Sequence, residues 1–298
     1  MEPSTRGGDL DVDLPGAQLW NFHRLRGDAS VLARLAILLW APLGFLVCAG
    51  RLLLLIAGCM LYPLAHALGV GGGYSKSIAF LLGLVVKVSG REHLQDDARI
   101  IVSNHVSDFD ACALWTVMPP ANWILVMNDH WKNIVGYVKR AGWQFGAIFT
   151  SGVDAKGKIK AALERARGDR QFLLFFPEGA TCSGIAVMQF NWFIFGLECP
   201  VVPCAIKLTN PWPVQMQMNG IGVQNNILAL FFLPCVFYEV SFLPPLDGAG
   251  LGKEHFAGTV RRQIAECLGV PRCMQAVSDK KQYGKNRREK QASTEKEM

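Results

Sequence analysis

The sequence predicts an α/β fold, in which helices flank a central sheet and a membrane-associated segment precedes it. Three observations support this prediction: 51% of the 298 residues are hydrophobic and only 18% are charged, one long apolar stretch lies near the start, and short apolar runs then alternate with helical stretches. Soluble domains usually carry about 25% charged residues, so the composition argues against a fully soluble enzyme, a disordered chain and a coiled coil. A polytopic transporter would be more apolar still.

The charge balance and the cysteines narrow the function further. The chain has 30 Lys and Arg residues against 24 Asp and Glu residues, and this small basic excess does not indicate a nucleic-acid-binding protein. The nine cysteines are scattered without C-x-x-C spacing. Such usage is typical of reduced cytosolic thiols, and it predicts neither a disulfide framework nor a metal site.

The N-terminal part of the chain has a polar segment followed by an apolar one. Residues 1–30 are polar and contain Gly, Pro and Asp, which predicts a flexible start. In the next stretch, Leu35–Gly73, Arg51 is the single charge. A straight helix of this length would measure about 58 Å, whereas the hydrocarbon core of a bilayer is about 30 Å thick. The stretch must therefore break, fold back, or span once with an interfacial remainder.

We expect the apolar stretch to form a membrane hairpin that breaks near Pro42. Proline lacks an amide donor and its ring clashes with the preceding turn, and Trp40 and Gly44 flank this position. Basic residues lie on both sides of the stretch, so both of its ends favour the cytosol. Two alternatives remain open: one ordinary span over Leu52–Val70 with Arg51 at its edge, and a buried helix pair in a soluble protein.

The chain divides into a flexible N-terminus (1–30), a membrane hairpin (31–73), an α/β domain (74–270) and a polar basic tail (271–298). Within the domain, short apolar runs predict strands and amphipathic stretches predict helices. The predicted strands are Arg99–Ser103, Trp123–Met127, Gly146–Thr150, Gln171–Phe176, Val201–Lys207 and Tyr238–Leu243. The predicted helices are Lys158–Arg167, capped by Asp154, and Glu254–Leu268. The tail is either solvated or in contact with anionic lipid head groups.

A histidine and an aspartate follow the first predicted strand and lie five residues apart. On one helix this spacing turns them about 140° apart, so they meet only if His105 lies in the turn and Asp110 in the first helical turn. Asp110 would then accept a hydrogen bond from one imidazole nitrogen, leaving the other to take a proton from a substrate hydroxyl. Asp108 is an alternative partner that fits better as a helix cap. On its own, this spacing is equally typical of a structural histidine.

A second candidate motif, Phe176-Pro177-Glu178-Gly179, follows the most apolar predicted strand. A glutamate at the end of a buried strand, between proline and glycine, predicts a polar group on rigid backbone. Gly179 permits a close approach or a positive φ. Because these residues are also common in turns, a simple turn is the alternative.

Together, the two motifs resemble those of the glycerolipid acyltransferases of the lysophosphatidic acid acyltransferase type. That family has Asn-His, four residues and Asp, followed later by Phe-Pro-Glu-Gly, and this sequence has the same order from Asn104 to Asp110 and from Phe176 to Gly179. The resemblance implies an acyltransferase-like sheet and acyl transfer to a lysophospholipid hydroxyl from acyl-CoA, a co-substrate rather than a bound cofactor. It makes His105 the general base and Asp110 the residue that orients it.

The resemblance also implies a substrate-binding set: Gly146, Phe149, Glu178, Gly179 and Thr181. The sequence departs from the family pattern at two positions. Gly152 stands where the family's Gly-x-x-Phe-x-x-Arg motif has arginine, and Phe190-Asn191 stands where the family often has Phe-Lys. Both cations would normally hold the acceptor's phosphate through charge-assisted hydrogen bonds.

A second resemblance covers most of residues 20–285. Stretches such as Trp40–Phe45 and Phe237–Val240 are similar to the ancient ubiquitous protein family, whose members are acyltransferase-like and sit at the endoplasmic reticulum and lipid droplets through a hairpin. This likeness implies a domain that faces the cytosol, possible partners in ER-associated degradation, and four membrane residues: Trp40, Pro42, Gly44 and Arg51.

Two hypotheses for the function follow from these patterns. The first is an acyl-CoA-dependent glycerolipid acyltransferase, which we favour because both catalytic-type motifs are intact. The second is a non-catalytic adaptor on the same scaffold, acting in lipid-droplet organisation or ER-associated degradation. The substituted cation positions and the second resemblance support the adaptor.

Overall fold

The computed structural model describes residues 11–94, 98–118, 120–127, 131–140, 146–149, 154–169, 171–197, 199–219 and 223–297. Its strands are β1 Leu84–Ser89, β2 Ile100–Ser103, β3 Trp123–Met127, β4 Gly146–Phe149, β5 Phe172–Phe175, β6 Val201–Thr209 and β7 Val236–Phe242. They form one sheet in the order β1-β7-β6-β2-β5-β3-β4, parallel throughout except between β6 and β7. All six predicted strands are present, although Thr150 lies outside the described residues. β1 was not predicted as a strand.

Helices cover both faces of the sheet. They are α1 Gly16–Leu19, α2 Val31–Ala67, α3 Gly71–Leu81, α4 Asp110–Leu114, α5 Lys132–Arg140, α6 Ala155–Asp169, α7 Val223–Phe232, α8 Lys253–Leu268 and α9 Val277–Glu297. Alternate strand residues face opposite layers: Ile100 packs with α6 and α8, and Ile101 packs with α2, α3 and α7. Both faces are therefore buried, as is usual for parallel strands. The predicted α/β architecture is confirmed.

The apolar stretch forms one continuous helix, so the predicted break at Pro42 is wrong. Ser30 caps the start of α2 by accepting a hydrogen bond from the amide of Ala33, and both Pro42 and Pro63 lie inside the helix. A proline leaves one carbonyl without its helical partner, but packing on either side can hold the helix together. Here α2 lies along α7, and this contact spans the position of Pro42.

Three of the four predicted membrane residues fix α2 to the domain. The Trp40 indole Nε1 donates to the carbonyl of Phe232 at 2.8 Å. A side chain at position 44 would come within 2.7 Å of the Phe232 ring, so Gly44 permits the close approach. The Arg51 guanidinium donates to backbone carbonyls at the ends of α3 and α7: Leu81, Phe231, Leu233 and Pro234.

The chain reverses direction after α2, well beyond the predicted position. The turn lies at residues 68–70, where Gly69 has a φ of +74°. The next helix, α3, packs back on α2, and the Tyr74 hydroxyl donates to the carbonyl of Gly58 at 3.0 Å. A helical hairpin is therefore present, but it is formed by α2 and α3 rather than by two halves of the apolar stretch.

The segment before α2 packs against the domain, so the predicted flexible start is wrong for residues 11–30. Leu19 and Trp20 are buried, and Val12 pairs with Cys273 in an isolated bridge. Arg24 Nη1 donates to the carbonyl of Gln215 at 2.6 Å. Sequence polarity did not indicate this packing, because few apolar side chains anchor the segment. Both ends of α2 thus contact the same domain.

The face of α2 that points away from the domain is apolar and exposed. By length and composition, α2 is the one helix among the described residues that is long and apolar enough to cross a membrane. The buried side follows helical spacing through Ile37, Gly44 and Cys48. The large exposed side chains of α2 include Leu32, Leu35, Leu39, Leu43, Leu46, Leu53, Met60 and Leu64. Monomeric soluble proteins rarely expose so large an apolar surface.

The basic tail forms a helix, α9, whose first half docks on the domain. The Tyr283 ring lies 5.6 Å, between centroids, from the rings of both Trp20 and Phe22. Arg287 lies over the Phe22 ring at 5.0 Å. The prediction of a solvated tail therefore fails for this part of the segment.

Candidate active site

The two motifs meet at the carboxyl end of the sheet. Strands β2 and β5 are parallel neighbours, with Ile101 opposite Leu174 and Val102 opposite Phe175. The residues that follow them, His105 and Phe176, stack with ring centroids 4.3 Å apart and an interplanar angle of 19°. In open α/β sheets, ligands bind outside the carboxyl ends of the strands.

His105 and Asp110 make the contact expected from their spacing. His105 lies in the loop after β2, and Asp110 is the first residue of α4. The distance from His105 Nδ1 to Asp110 Oδ2 is 2.9 Å, and the same oxygen accepts the amides of Val106 at 2.8 Å and Ser107 at 3.1 Å. An ionised Asp110 accepts the proton of Nδ1, so the remaining ring nitrogen, Nε2, carries the lone pair.

Asp110 is fully buried, and its environment acts on its pKa in two directions. Burial raises the pKa of Asp110, and hydrogen bonds from His105 and from the amides of Ser107 and Val106 act against this rise. Its second oxygen, Oδ1, is buried without a hydrogen-bond partner among the described residues. The carboxylate is thus aimed at the histidine and is shielded from water.

Glu178 lies beneath the histidine loop rather than in an open acceptor site. Its Oε2 accepts the amide of His105 at 2.7 Å, and its Oε1 accepts the amide of Met188 at 2.8 Å. The residue is 1% exposed, so the direct acceptor contact implied by the resemblance is not supported by the structure. Burial raises the pKa of Glu178 to about 8, against the opposing effect of the two amides.

The other residues of the predicted substrate-binding set are not all near the histidine. Gly179 has a φ of +67° and lines the cavity beside His105. Thr181 is 6% exposed and is not among the described residues that line the cavity, and its Oγ1 accepts Gln217 Nε2 at 3.4 Å. Gly146 and Phe149 are on β4, which β5 and β3 separate from β2, and neither is among the described residues that line the cavity. Gly152 lies outside the described residues.

Gly146 has a clear packing reason to be glycine. A Cβ at this position would lie 2.6 Å from Cγ1 of Ile124 on the neighbouring strand β3. The Lys132 ammonium lies over the Phe149 ring, 5.5 Å from the ring centroid. These two residues therefore contribute to the edge of the sheet.

His105 and Asp108 help to line an apolar cavity of about 320 Å³. It extends between the helices on one face of the sheet. Its walls include Leu55 and Cys59 of α2, Ile78 and Ala79 of α3, and Ile227 and Phe231 of α7. The volume lies in the range of small-molecule pockets, and the lining suits an alkyl chain.

Several polar residues near the histidine were missed by sequence reasoning. Asp108 accepts hydrogen bonds from Gln217 and Asn226, which lie more than 100 positions later in the chain. Lys280 of α9 donates to the carbonyl of Thr181 at 2.5 Å, and burial lowers the pKa of Lys280 to about 8. No local pattern reveals such contacts, because they form only when distant segments pack.

Comparisons with known proteins agree with this geometry. Residues 85–207 match the sequence model of the acyltransferase family. The lipid droplet-regulating VLDL assembly factor AUP1 homolog of Caenorhabditis elegans is 26% identical over 96% of this chain and 71% of its own length. The 1-acyl-sn-glycerol-3-phosphate acyltransferase of Saccharomyces cerevisiae is 27% identical over 67% of this chain and 65% of its own length. The chain spans only 62% and 65% of the zebrafish and human AUP1 proteins.

A solved structure shares the fold. The crystal structure of the 1-acyl-sn-glycerophosphate acyltransferase PlsC from Thermotoga maritima aligns with a TM-score of 0.52 and 16% identity, covering 80% of this chain and 96% of that one. The matched region 85–207 contains His105, Asp110 and Glu178, whereas Gln217, Asn226 and Lys280 lie outside it. Residues 85–207 of this chain are therefore similar in sequence to the acyltransferase family, and the fold is similar to that of a solved acyltransferase.

Proposed function

We propose that the protein transfers an acyl chain from acyl-CoA to a glycerolipid hydroxyl, with a lysophospholipid as the acceptor implied by its family. The observation that carries this proposal is the 2.9 Å contact between His105 Nδ1 and Asp110 Oδ2, in which His105 also lines an apolar cavity. The contact leaves Nε2 as the basic nitrogen, and the cavity offers a place for the acyl chain. The similarity to the acyltransferase family supports the same class of reaction.

The proposed reaction needs one general base. The acceptor hydroxyl loses its proton to His105 Nε2, and its oxygen forms a bond to the thioester carbonyl carbon. The tetrahedral intermediate collapses, the carbon–sulfur bond breaks, and the CoA thiolate leaves with the proton from His105. The Asp110 carboxylate stabilises the imidazolium that exists between these steps, as in other His–Asp pairs.

An acyl-transfer assay in liposomes with the variant His105→Ala tests this function. We expect CoA release to fall by about a hundredfold or more, because general-base catalysis typically contributes 10²- to 10⁴-fold. The matched control is His255→Ala, whose exposed side chain lies on α8 away from the cavity, and we expect it to retain wild-type activity.

The same assay decides between an enzyme and an adaptor. The adaptor would act in lipid-droplet organisation, which fits the names of relatives that describe lipid-droplet regulation and VLDL assembly, or in ER-associated degradation, which only the resemblance noted from the sequence implies. If the wild type and His105→Ala release CoA at the same rate on every acceptor, catalysis is excluded and the adaptor takes its place.

We further propose that α2 and α3 attach the protein to the cytosolic surface of the endoplasmic reticulum and to lipid droplets. Arg24, before α2, and α3, after it, both contact the α/β domain, which supports entry into one leaflet over a single span. A droplet is covered by a monolayer, and it admits a hairpin but not a span with a polar far end.

Topology measurements test this attachment. With epitope tags at Met1 and Met298, we expect both tags to be cleaved by protease added to the cytosolic side of intact microsomes. A tag protected at Met1 alone would indicate a span across the bilayer and would contradict the proposal.

A further inference from the structure

Asp108 is a fixed carboxylate beside the proposed base. It lies three residues after His105, is half-buried, and lines the same cavity. Its Oδ2 accepts Gln217 Nε2 at 3.1 Å and Asn226 Nδ2 at 2.9 Å, and its amide donates to Gln217 Oε1 at 3.0 Å. Two side chains from outside the matched family region thus hold this group in place.

The two amides that hold Asp108 are themselves fixed. Asn226 is 1% exposed, and its Oδ1 accepts the amide of Met218 at 3.1 Å and Arg24 Nη2 at 3.1 Å. Its Nδ2 must therefore point towards Asp108. Gln217 is 7% exposed, and its Nε2 also reaches Thr181 Oγ1 at 3.4 Å. The network presents a negative charge to the cavity in one orientation.

One oxygen of Asp108 remains for a ligand. A carboxylate offers about four lone-pair positions, and the described side-chain contacts all fall on Oδ2. Within the described part of the chain, no hydrogen bond reaches Oδ1. A carboxylate oxygen can only accept, so the group that fits it is a donor such as a hydroxyl.

We propose that Asp108 selects the acceptor by accepting a hydrogen bond from a second, free hydroxyl of its glycerol, which makes an uncharged monoacylglycerol a better acceptor than lysophosphatidate. The inference rests on the proposed acyl transfer and replaces the lysophospholipid acceptor that the family implies with an uncharged acceptor. A monoacylglycerol has one hydroxyl to be acylated at His105 and a neighbouring hydroxyl to donate to Asp108. A phosphate at that neighbouring position would bring like charges together, which disfavours binding.

The substitutions in the sequence point in the same direction. Gly152 and Asn191 replace the two cations that normally hold the acceptor's phosphate in the family that this chain resembles. The nearby ammonium of Lys280 donates to the carbonyl and the hydroxyl of Thr181, at 2.5 and 3.3 Å. Capture of a phosphate by Lys280 is the competing explanation, and it predicts the opposite acceptor preference.

The variant Asp108→Asn tests the proposal. Asparagine keeps an oxygen for Gln217 and Asn226 and places an NH₂ donor where Oδ1 faces the ligand. We expect kcat/KM for monoacylglycerol to fall about 10- to 100-fold, as for the loss of a hydrogen bond to a charged group, and kcat/KM for lysophosphatidate to rise. The control Asp247→Asn, in an exposed turn where Oδ1 accepts the amide of Ala249, should change neither.

Three outcomes would overturn the inference. A wild-type preference for lysophosphatidate that Lys280→Met removes would assign the acceptor site to the ammonium. An equal loss on both acceptors in Asp108→Asn would mean that Asp108 only shapes the histidine loop. If the wild type acylates both acceptors equally and Asp108→Asn has the same rates as the wild type, the Asp108 carboxylate does not select between the acceptors.

A binding readout separates this inference from the proposed function. In detergent micelles, monoacylglycerol should raise the melting temperature of the wild type more than lysophosphatidate does, and Asp108→Asn should remove that difference. If no acceptor is acylated but this selective stabilisation is present, the proposed catalysis is wrong, whereas selective lipid binding at Asp108 is supported. If neither lipid stabilises the wild type selectively, the acceptor site fails regardless of activity.

Discussion

Replacing Asp110 with asparagine is expected to lower kcat for acyl transfer by about 10³- to 10⁴-fold, as for other His–Asp pairs that lose the carboxylate. Asparagine cannot replace the carboxylate in either orientation of its side-chain amide. With its oxygen towards His105 it keeps three hydrogen bonds but gives the imidazolium no charge, and it buries its NH₂ at the position of Oδ1, which has no described partner. With its NH₂ towards His105, it fixes the imidazole tautomer that has no proton on Nδ1. The same NH₂ then faces the backbone amides of Val106 and Ser107, from which it cannot accept a hydrogen bond.

The measurement is kcat at saturating acyl-CoA, accompanied by the thermal midpoint of the purified variant in detergent. Asp28→Asn is a matched control, because Asp28 is an exposed residue that pairs with Arg26 far from the cavity. An Asp110→Asn variant that melts like the wild type and turns over at the wild-type rate would show that the His105–Asp110 contact has no part in catalysis.

The second large effect is expected for Glu178→Gln. The glutamine has one acceptor oxygen for two buried amides, so one of His105 and Met188 faces an NH₂ group. An unpaired buried amide costs about 1–3 kcal/mol, and the backbone of the base shifts with it. If this cost appears in the activation free energy, it corresponds to a fall in kcat/KM of about 10- to 100-fold, which is the result we expect. An unchanged rate would contradict the role of Glu178 in positioning His105.

The pH dependence of stability offers an independent check on Glu178. Its pKa is raised by burial from the ordinary 4.5 to about 8, so between these values the folded protein binds more protons than the unfolded chain. Its contribution to stability therefore falls as the pH rises from about 4.5 to 8. The melting temperature of the wild type, relative to Glu178→Gln, should decrease over this interval. A difference that stays constant would contradict the assignment.

The sequence predicted the sheet and the histidine pair because both depend on local patterns. Buried strands appear as short apolar runs, and parallel neighbours bring their carboxyl ends to one edge. On these grounds His105 and Glu178 were each expected directly after a buried strand. The function of Glu178 could not be predicted, since the same Pro-Glu-Gly pattern suits a group that points outward to a ligand or inward to the backbone. Its two amide partners, His105 and Met188, become visible only in the folded structure.

The predictions that were wrong, at Pro42 and at the two termini, failed for a different physical reason. Pro42 was expected to break the helix because an isolated proline removes a hydrogen bond, but tertiary contacts through Trp40 and Gly44 outweigh that local preference. The polar N-terminus was expected to be flexible, and the tail to be solvated or in contact with lipid head groups. Instead, Trp20 and Tyr283 pack on each other from opposite ends of the chain. Pairs so far apart in sequence leave no periodic signal.

The position of α2 means that the proposed membrane attachment and the shape of the cavity depend on one helix. Leu55 and Cys59 form part of the cavity wall, whereas Leu53 and Met60 on the same turns are 69% and 72% exposed. Deleting residues 31–67 to obtain a soluble protein would therefore open the cavity to water. A truncated form that lacks activity would not show that the membrane itself is required for catalysis.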